Sequence, residues 1–164
     1  MKQKKRTTLQ KLGNKQRFRF YGEFKKYGFK YTDYYKKHAV PTILLLNIKL
    51  ISENTEIFMT DHLWFNLTKG FKQLGLLHVG DKISFNGRVA EYTKGYRRSD
   101  KDYDIIRPTK VKLEENLIRP EWYLKESWEM CNCIYDMYAT DYENRGIAKP
   151  YSFYKKGNAN EDIP

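Results

Sequence analysis

The chain has 164 residues, room for one domain with appendages, and it is 16% aromatic with 14 tyrosines. No apolar run approaches the ~20 residues of a bilayer span, and no signal-peptide core follows the basic N-terminus, so a cytoplasmic location is expected. The net charge of +11 is concentrated, because residues 1–38 carry 13 Lys/Arg against 2 Asp/Glu and the remainder carries 18 of each.

A block of cations at one end suits a polyanion. Met1 to Gln16 has almost no apolar content and is expected to be a flexible basic arm. From Arg17 the pattern turns to period two. Phe18, Phe20, Gly22 and Phe24 share one face of a strand, and Arg17, Arg19, Tyr21 and Glu23 share the other. Gly22 inside it asks for a bulge or bend. The Tyr- and Lys-rich stretch KKYGFKYTDYYKKH, Lys25 to His38, reads as a long loop or an extended hairpin end. Ala39 to Ser52 is the most apolar strand, and Thr55 to Thr60 is a short third one.

Asp61 is placed to cap a helix over His62 to Leu74, with Leu63, Phe65 or Leu67, Phe71 and Leu74 on its apolar side and Gly75 to stop it. A fourth strand, KISFNGRVAEY, turns Ile83, Phe85, Gly87 and Val89 one way. After a loop from Thr93 to Asp102, the segment DIIRPTKVKLE makes a fifth strand, whose Pro108 requires an edge or a bulge. Pro120 opens a long helix carrying Leu124, Trp128, Cys131, Tyr135, Tyr138 and Tyr142 at three- and four-residue spacing, and Gly146 ends it. Residues 147–164 are expected to form a mobile tail. The boundaries are thus 1–16, 17–114, 115–146 and 147–164.

The segment DHLWFNLTKGFKQLGLLHVGDKISFNGRVAEYTKG, Asp61 to Gly95, together with the order of elements over 17–114, resembles the single-domain OB-fold nucleic-acid-binding proteins of bacteria, phages and mobile elements. The resemblance implies a mainly β fold with helices: a five-stranded Greek-key barrel with a helix between strands 3 and 4, here followed by a C-terminal helix. It also implies a ligand lying across strands 2 and 3, between the loops joining strands 1–2 and 4–5. Those loops are chemically alike, both rich in tyrosine and in Lys or Arg. Rings for stacking are Tyr27, Phe29, Tyr31, Tyr34, Tyr35 and Tyr96. Cations for phosphates are Lys25, Lys26, Lys30, Lys36, Lys37, Lys94, Arg97 and Arg98, with Arg17, Arg19 and Arg88 on strand faces.

The expected activity is non-enzymatic binding of single-stranded nucleic acid, DNA over RNA, with little sequence preference and without a cofactor. One alternative is a phage or mobile-element protein that inhibits or recruits a host nucleoprotein machine. Another is a metal-dependent nuclease using Asp61, Glu91 and Arg88. A protein partner or homo-oligomer is expected to use the C-terminal aromatic helix; no membrane is expected as a partner.

Metal chemistry has little support in the sequence. Cys131 and Cys133 form a lone C-N-C, His38, His62 and His78 share no ligand spacing, and SDKDYD lacks the central Gly and final Glu of a calcium loop. The ending NEDIP is similar to the acidic tip of bacterial single-stranded DNA-binding proteins but lacks the Phe that follows Pro in that tip.

Overall fold

The computed structural model describes residues 6–94 and 100–152. Five antiparallel strands form one open sheet in the order β3-β2-β1-β4-β5. They are β1 (Arg17–Tyr31), β2 (Ala39–Ser52), β3 (Thr55–Asn66), β4 (Lys82–Lys94) and β5 (Asp100–Leu113). The short helices are α1 (Thr7–Leu12), α2 (Lys69–Lys72), α3 (Ser127–Met137) and α4 (Ala139–Asn144). Among the described residues, no helix is long and apolar enough to cross a membrane.

The sheet is strongly curved. Phe65 on β3 and Phe85 on β4 have ring centroids 5.3 Å apart, although β2 and β1 lie between their strands. In a flat sheet three strand spacings would separate them by about 14 Å. The concave side therefore wraps a core containing Phe20, Ile43, Leu45, Ile48, Leu63, Phe71, Ile83 and Phe85, all fully or almost fully buried. Gly22 permits the bend. A Cβ there would stand 2.7 Å from Ile48 Cδ1, and the β1–β2 register shifts across it and again across Lys25. Beyond Glu23, β1 leaves β4 and continues with β2 alone.

β3 and β5 remain the two edges of the sheet. Helix α1 contacts β3, β4 and β5 and inserts Leu9, which is 0% exposed, into the core. The basic arm is thus not wholly free: Leu9, with Leu12 packed partly against the same core, docks an otherwise mostly polar stretch. Arg6 reinforces the docking, its backbone N–H donating to Asp102 Oδ1 at 3.0 Å.

The helix expected over His62–Leu74 is replaced by six further residues of β3 and the single turn α2. Leu63, Leu67, Phe71 and Leu74 have helical spacing. Leu63 and Phe65, however, are buried while Trp64 and Asn66 are exposed, and pairing with β2 at His62–Leu46 and Trp64–Leu44 carries the strand on. The apolar neighbour outweighs local periodicity here. Pro108 lies on edge strand β5 inside one of its two register breaks, and Arg107 and Lys110, one in each break, take left-handed φ values of 52° and 49°.

The last helix begins at Ser127 rather than Pro120. Residues ahead of it are held extended by the turn before β4. The Pro120 carbonyl accepts from Leu76 N at 2.7 Å, and Arg119 makes a forked pair with Asp81 at 2.8 and 2.7 Å. Gly75 at φ +87° must be glycine, since a Cβ would lie 2.6 Å from that same carbonyl. The helical stretch also breaks at Tyr138, between α3 and α4. Residues just past Gly146 pack against the domain. Tyr151 is buried, its hydroxyl accepts from Ala39 N at 2.7 Å, and Asn132 bonds both sides of its backbone at 3.0 and 3.1 Å.

The Asp81–Arg119 pair makes a pH prediction. Hydrogen bonds from Arg119 hold the Asp81 carboxyl below its usual range, against the opposing effect of burial. A depressed folded-state value means the stabilisation is present above the unfolded pKa of about 3.9 and is lost as pH falls through the lower folded value. Asp81→Asn is expected to lower the urea midpoint at pH 7 and to narrow the difference between pH 7 and pH 3; equal shifts at both would show that the pair is not the source.

Candidate nucleic-acid interface

Past Glu23 the free half of β1 carries Lys26, Gly28 and Lys30 alternating with Tyr27, Phe29 and Tyr31. Gly28 faces Thr42 on β2. A Cβ on Gly28 would strike the Trp64 ring at 2.9 Å and Thr42 Oγ1 at 3.1 Å. The glycine is therefore the slot over which the β3 indole lies. Trp64 remains 43% exposed in that position. A strand glycine marking a close approach is the general signal.

Trp64 and Gly28 line a groove of about 550 Å³ together with Lys26, Phe29, Tyr31, Lys36, Tyr142, Arg145 and residues 146–148. Phe29 packs on Tyr142 at 5.1 Å, and Tyr142 stacks on Tyr135 at 5.1 Å and 9°. The Arg145 guanidinium sits 5.2 Å over the Tyr142 ring and pairs with Asp141 at 2.9 Å. Burial pushes the Tyr142 hydroxyl up to about 12, with Arg145 acting against it. The groove thus offers one broad aromatic platform and three cations, without a buried acid–base pair among its lining residues.

The β1–β2 turn closes one end. The Asp33 carboxylate accepts from His38 N at 2.8 Å and from Lys37 N at 3.0 Å, which holds its pKa below the usual range. The turn presents Tyr34 and Tyr35 at 91% and 78% exposure, and Lys36 reaches back to 6.0 Å over the Tyr31 ring.

The predicted residues divide accordingly. Lys26, Phe29, Tyr31 and Lys36 come together in the groove, and Tyr34, Tyr35 and Lys37 stand exposed on the turn at its end. Lys25 and Lys30 are exposed on β1, in the extended hairpin end that is one of the two readings of this stretch rather than in a long loop, since the strand runs on to Tyr31. Tyr27 is a correction. It is core, its hydroxyl accepting from Leu77 N at 3.0 Å and donating to the Gly75 carbonyl at 3.2 Å, with Trp122 edge-on at 5.1 Å, so no base can reach it. Arg17, Arg19 and Arg88 lie where β1 pairs with β4, away from the groove. Lys94 ends β4; Tyr96, Arg97 and Arg98 fall outside the described residues.

Sequence reading missed Trp64, Tyr142 and Arg145. The alternation continuing through Leu63, Trp64, Phe65 and Asn66, and Gly28 within an aromatic strand, were the available signals. The C-terminal stripe packs inward: Cys131, Tyr135 and Tyr142 are buried, and desolvation drives the Cys131 thiol to about 12, which leaves it inert. Asp102, in the calcium-like stretch, lies within β5 and accepts from Arg6 and Tyr103 N–H groups. Glu91 is paired with Lys101 at 3.3 Å. Among the described residues, no group of three or more His, Cys, Asp and Glu side chains is placed to hold a metal ion. No family model, curated protein or solved structure matches the chain.

Proposed function

We propose that the protein is an OB-fold module that binds single-stranded nucleic acid, DNA in preference to RNA, without catalysis and with little sequence preference. The sheet order β3-β2-β1-β4-β5, with α2 between β3 and β4, supports the fold reading. On that reading α1 occupies the seam that a β3–β5 pairing would close. The observation that carries the function is Trp64 laid across Gly28 among Lys26, Lys36 and Arg145. An exposed ring beside cations is the chemistry that holds unpaired bases and their phosphates. The platform takes Trp64 from β3, one of the two strands across which such folds hold their ligand, and lies beside the β1–β2 turn, but β1 rather than β2 supplies its other strand residues.

Fluorescence anisotropy with matched single-stranded DNA, RNA and duplex at two salt concentrations tests this. The single-stranded DNA is expected to bind tightest, and its log K to fall with log salt at about 0.7 per phosphate neutralised. Salt-independent binding, or equal affinity for an uncharged polymer, would refute the reading.

A further inference from the structure

The arginines that the groove leaves out form a surface of their own. In register, Arg17 on β1 stands directly opposite Arg88 on β4, and Arg19 stands opposite Asn86. Like charges directly across a strand pair oppose folding. Alternation along β4 puts Ser84, Asn86 and Arg88 on one face, and Lys112 on β5 pairs with Ser84 on that face.

Two of these guanidiniums are fixed in place. Arg17 donates through Nη2 to the Asn86 carbonyl (3.1 Å), the Arg107 carbonyl (2.6 Å) and Thr109 Oγ1 (2.8 Å). Arg19 reaches Asn86 Oδ1 (3.1 Å), the Lys110 carbonyl (2.9 Å) and Ser84 Oγ (2.6 Å). The accepting carbonyls of Arg107 and Lys110 belong to the two left-handed bulge residues around Pro108. The bulges thus aim carbonyls at the arginines and hold them without neutralising their charge.

Arg17 keeps Nη1 and Nε unused, and none of Arg17, Arg19, Arg88 and Lys112 has a carboxylate partner among the described residues. Arg17 and Arg19 are spaced by two residues, about 7 Å along the strand, which is of the order of the distance between neighbouring phosphates. Aromatic side chains beside these arginines do not face out: Phe20 and Phe85 are fully buried and Tyr21 is buried, its hydroxyl bonded to Glu56.

We propose that this face of β1, β4 and β5 is a second nucleic-acid contact, which holds the phosphodiester backbone alone and is therefore indifferent to base pairing. The proposal rests on the nucleic-acid reading of the protein, but not on the groove being the place where bases stack. Its ligand is the backbone flanking the segment in the groove, either more single strand or a duplex stem.

The test uses the full chain and three labelled probes: a short single strand of about ten thymidines, the same strand extended about threefold, and the short strand carrying a duplex stem. The double variant Arg88→Gln/Lys112→Gln changes two exposed side chains that make no side-chain hydrogen bond among the described residues, so it should fold. It should bind the short strand within about twofold of the parent. On whichever longer probe the face engages, affinity should fall about tenfold or more, and the salt slope should become shallower by about 1.8 on the stem or about 1.4 on the extended strand.

A charge-matched control, Lys69→Gln/Lys125→Gln, should leave both longer probes unchanged. The proposal is overturned if the Arg88/Lys112 variant matches the parent on both longer probes, or if the control loses as much. Trp64→Ala separates the two readings. If it spares the short strand while Arg88→Gln/Lys112→Gln still weakens a longer probe, the groove assignment fails and the backbone face stands.

Discussion

Trp64→Ala is expected to weaken binding of short single-stranded DNA by about 5- to 150-fold while leaving the fold intact. The range follows from base–aromatic stacking worth about 1–3 kcal/mol per base, at about 1.4 kcal/mol per tenfold in affinity. The ring is partly exposed and lies outside the main core cluster, so removing it should not unfold the sheet. Trp64→Phe should recover part of the loss, because a smaller face still stacks. Gly28→Val reaches the same platform from below: its Cβ would enter the space of the indole at 2.9 Å and displace a ring that is still present. Affinity unchanged in both Trp64→Ala and Gly28→Val, with unchanged far-UV circular dichroism, would remove the groove as the binding site.

The largest stability effect is expected at Leu9. Leu9→Ala should cost about 2–5 kcal/mol, the range for deleting a large buried aliphatic side chain and leaving a cavity. Leu9 is fully buried and shares the main core cluster with Phe20 and Phe85; it stands on a six-residue helix that could not persist alone. Lys11→Ala on the same helix is exposed and should shift stability by no more than about 0.5 kcal/mol. Equilibrium urea unfolding of both variants makes the comparison. Equal, small shifts would mean that α1 does not seal the sheet. A large shift at Leu9 alone would make the N-terminal segment a structural part of the domain, its cations anchored rather than trailing.

The strands were legible from alternation, because a half-buried strand writes its two faces into the sequence at period two. Gly22, Pro108 and Gly146 were legible for the same local reason: each breaks a pattern that only a bulge, an edge or a helix end accommodates. Residues 62–74 were misread because Leu63, Leu67, Phe71 and Leu74 satisfy a helical spacing too. The hydrogen-bonding partner that decides between the readings, β2, lies about 20 residues away in the chain. The late start of α3 has a similar cause. Pro120 suits a helix start locally, but its carbonyl and the Arg119 side chain are claimed by the turn before β4.

The candidate site shows the same division. That the chain carries an aromatic, cationic surface follows from composition and charge placement alone, since 13 cations and a run of tyrosines sit in its first 38 residues. Which rings are available was settled by packing. Tyr27 and Tyr34 look alike in sequence, yet one is sealed beside Trp122 and the other is exposed at the turn. Strand register laid Trp64 over Gly28 and set Arg17 opposite Arg88, while packing of Tyr142 on Phe29 brought Arg145 to the same groove. Local pattern reports the face a side chain takes, whereas its neighbour across the sheet depends on pairings between distant segments, and those form only when the sheet curves around its core.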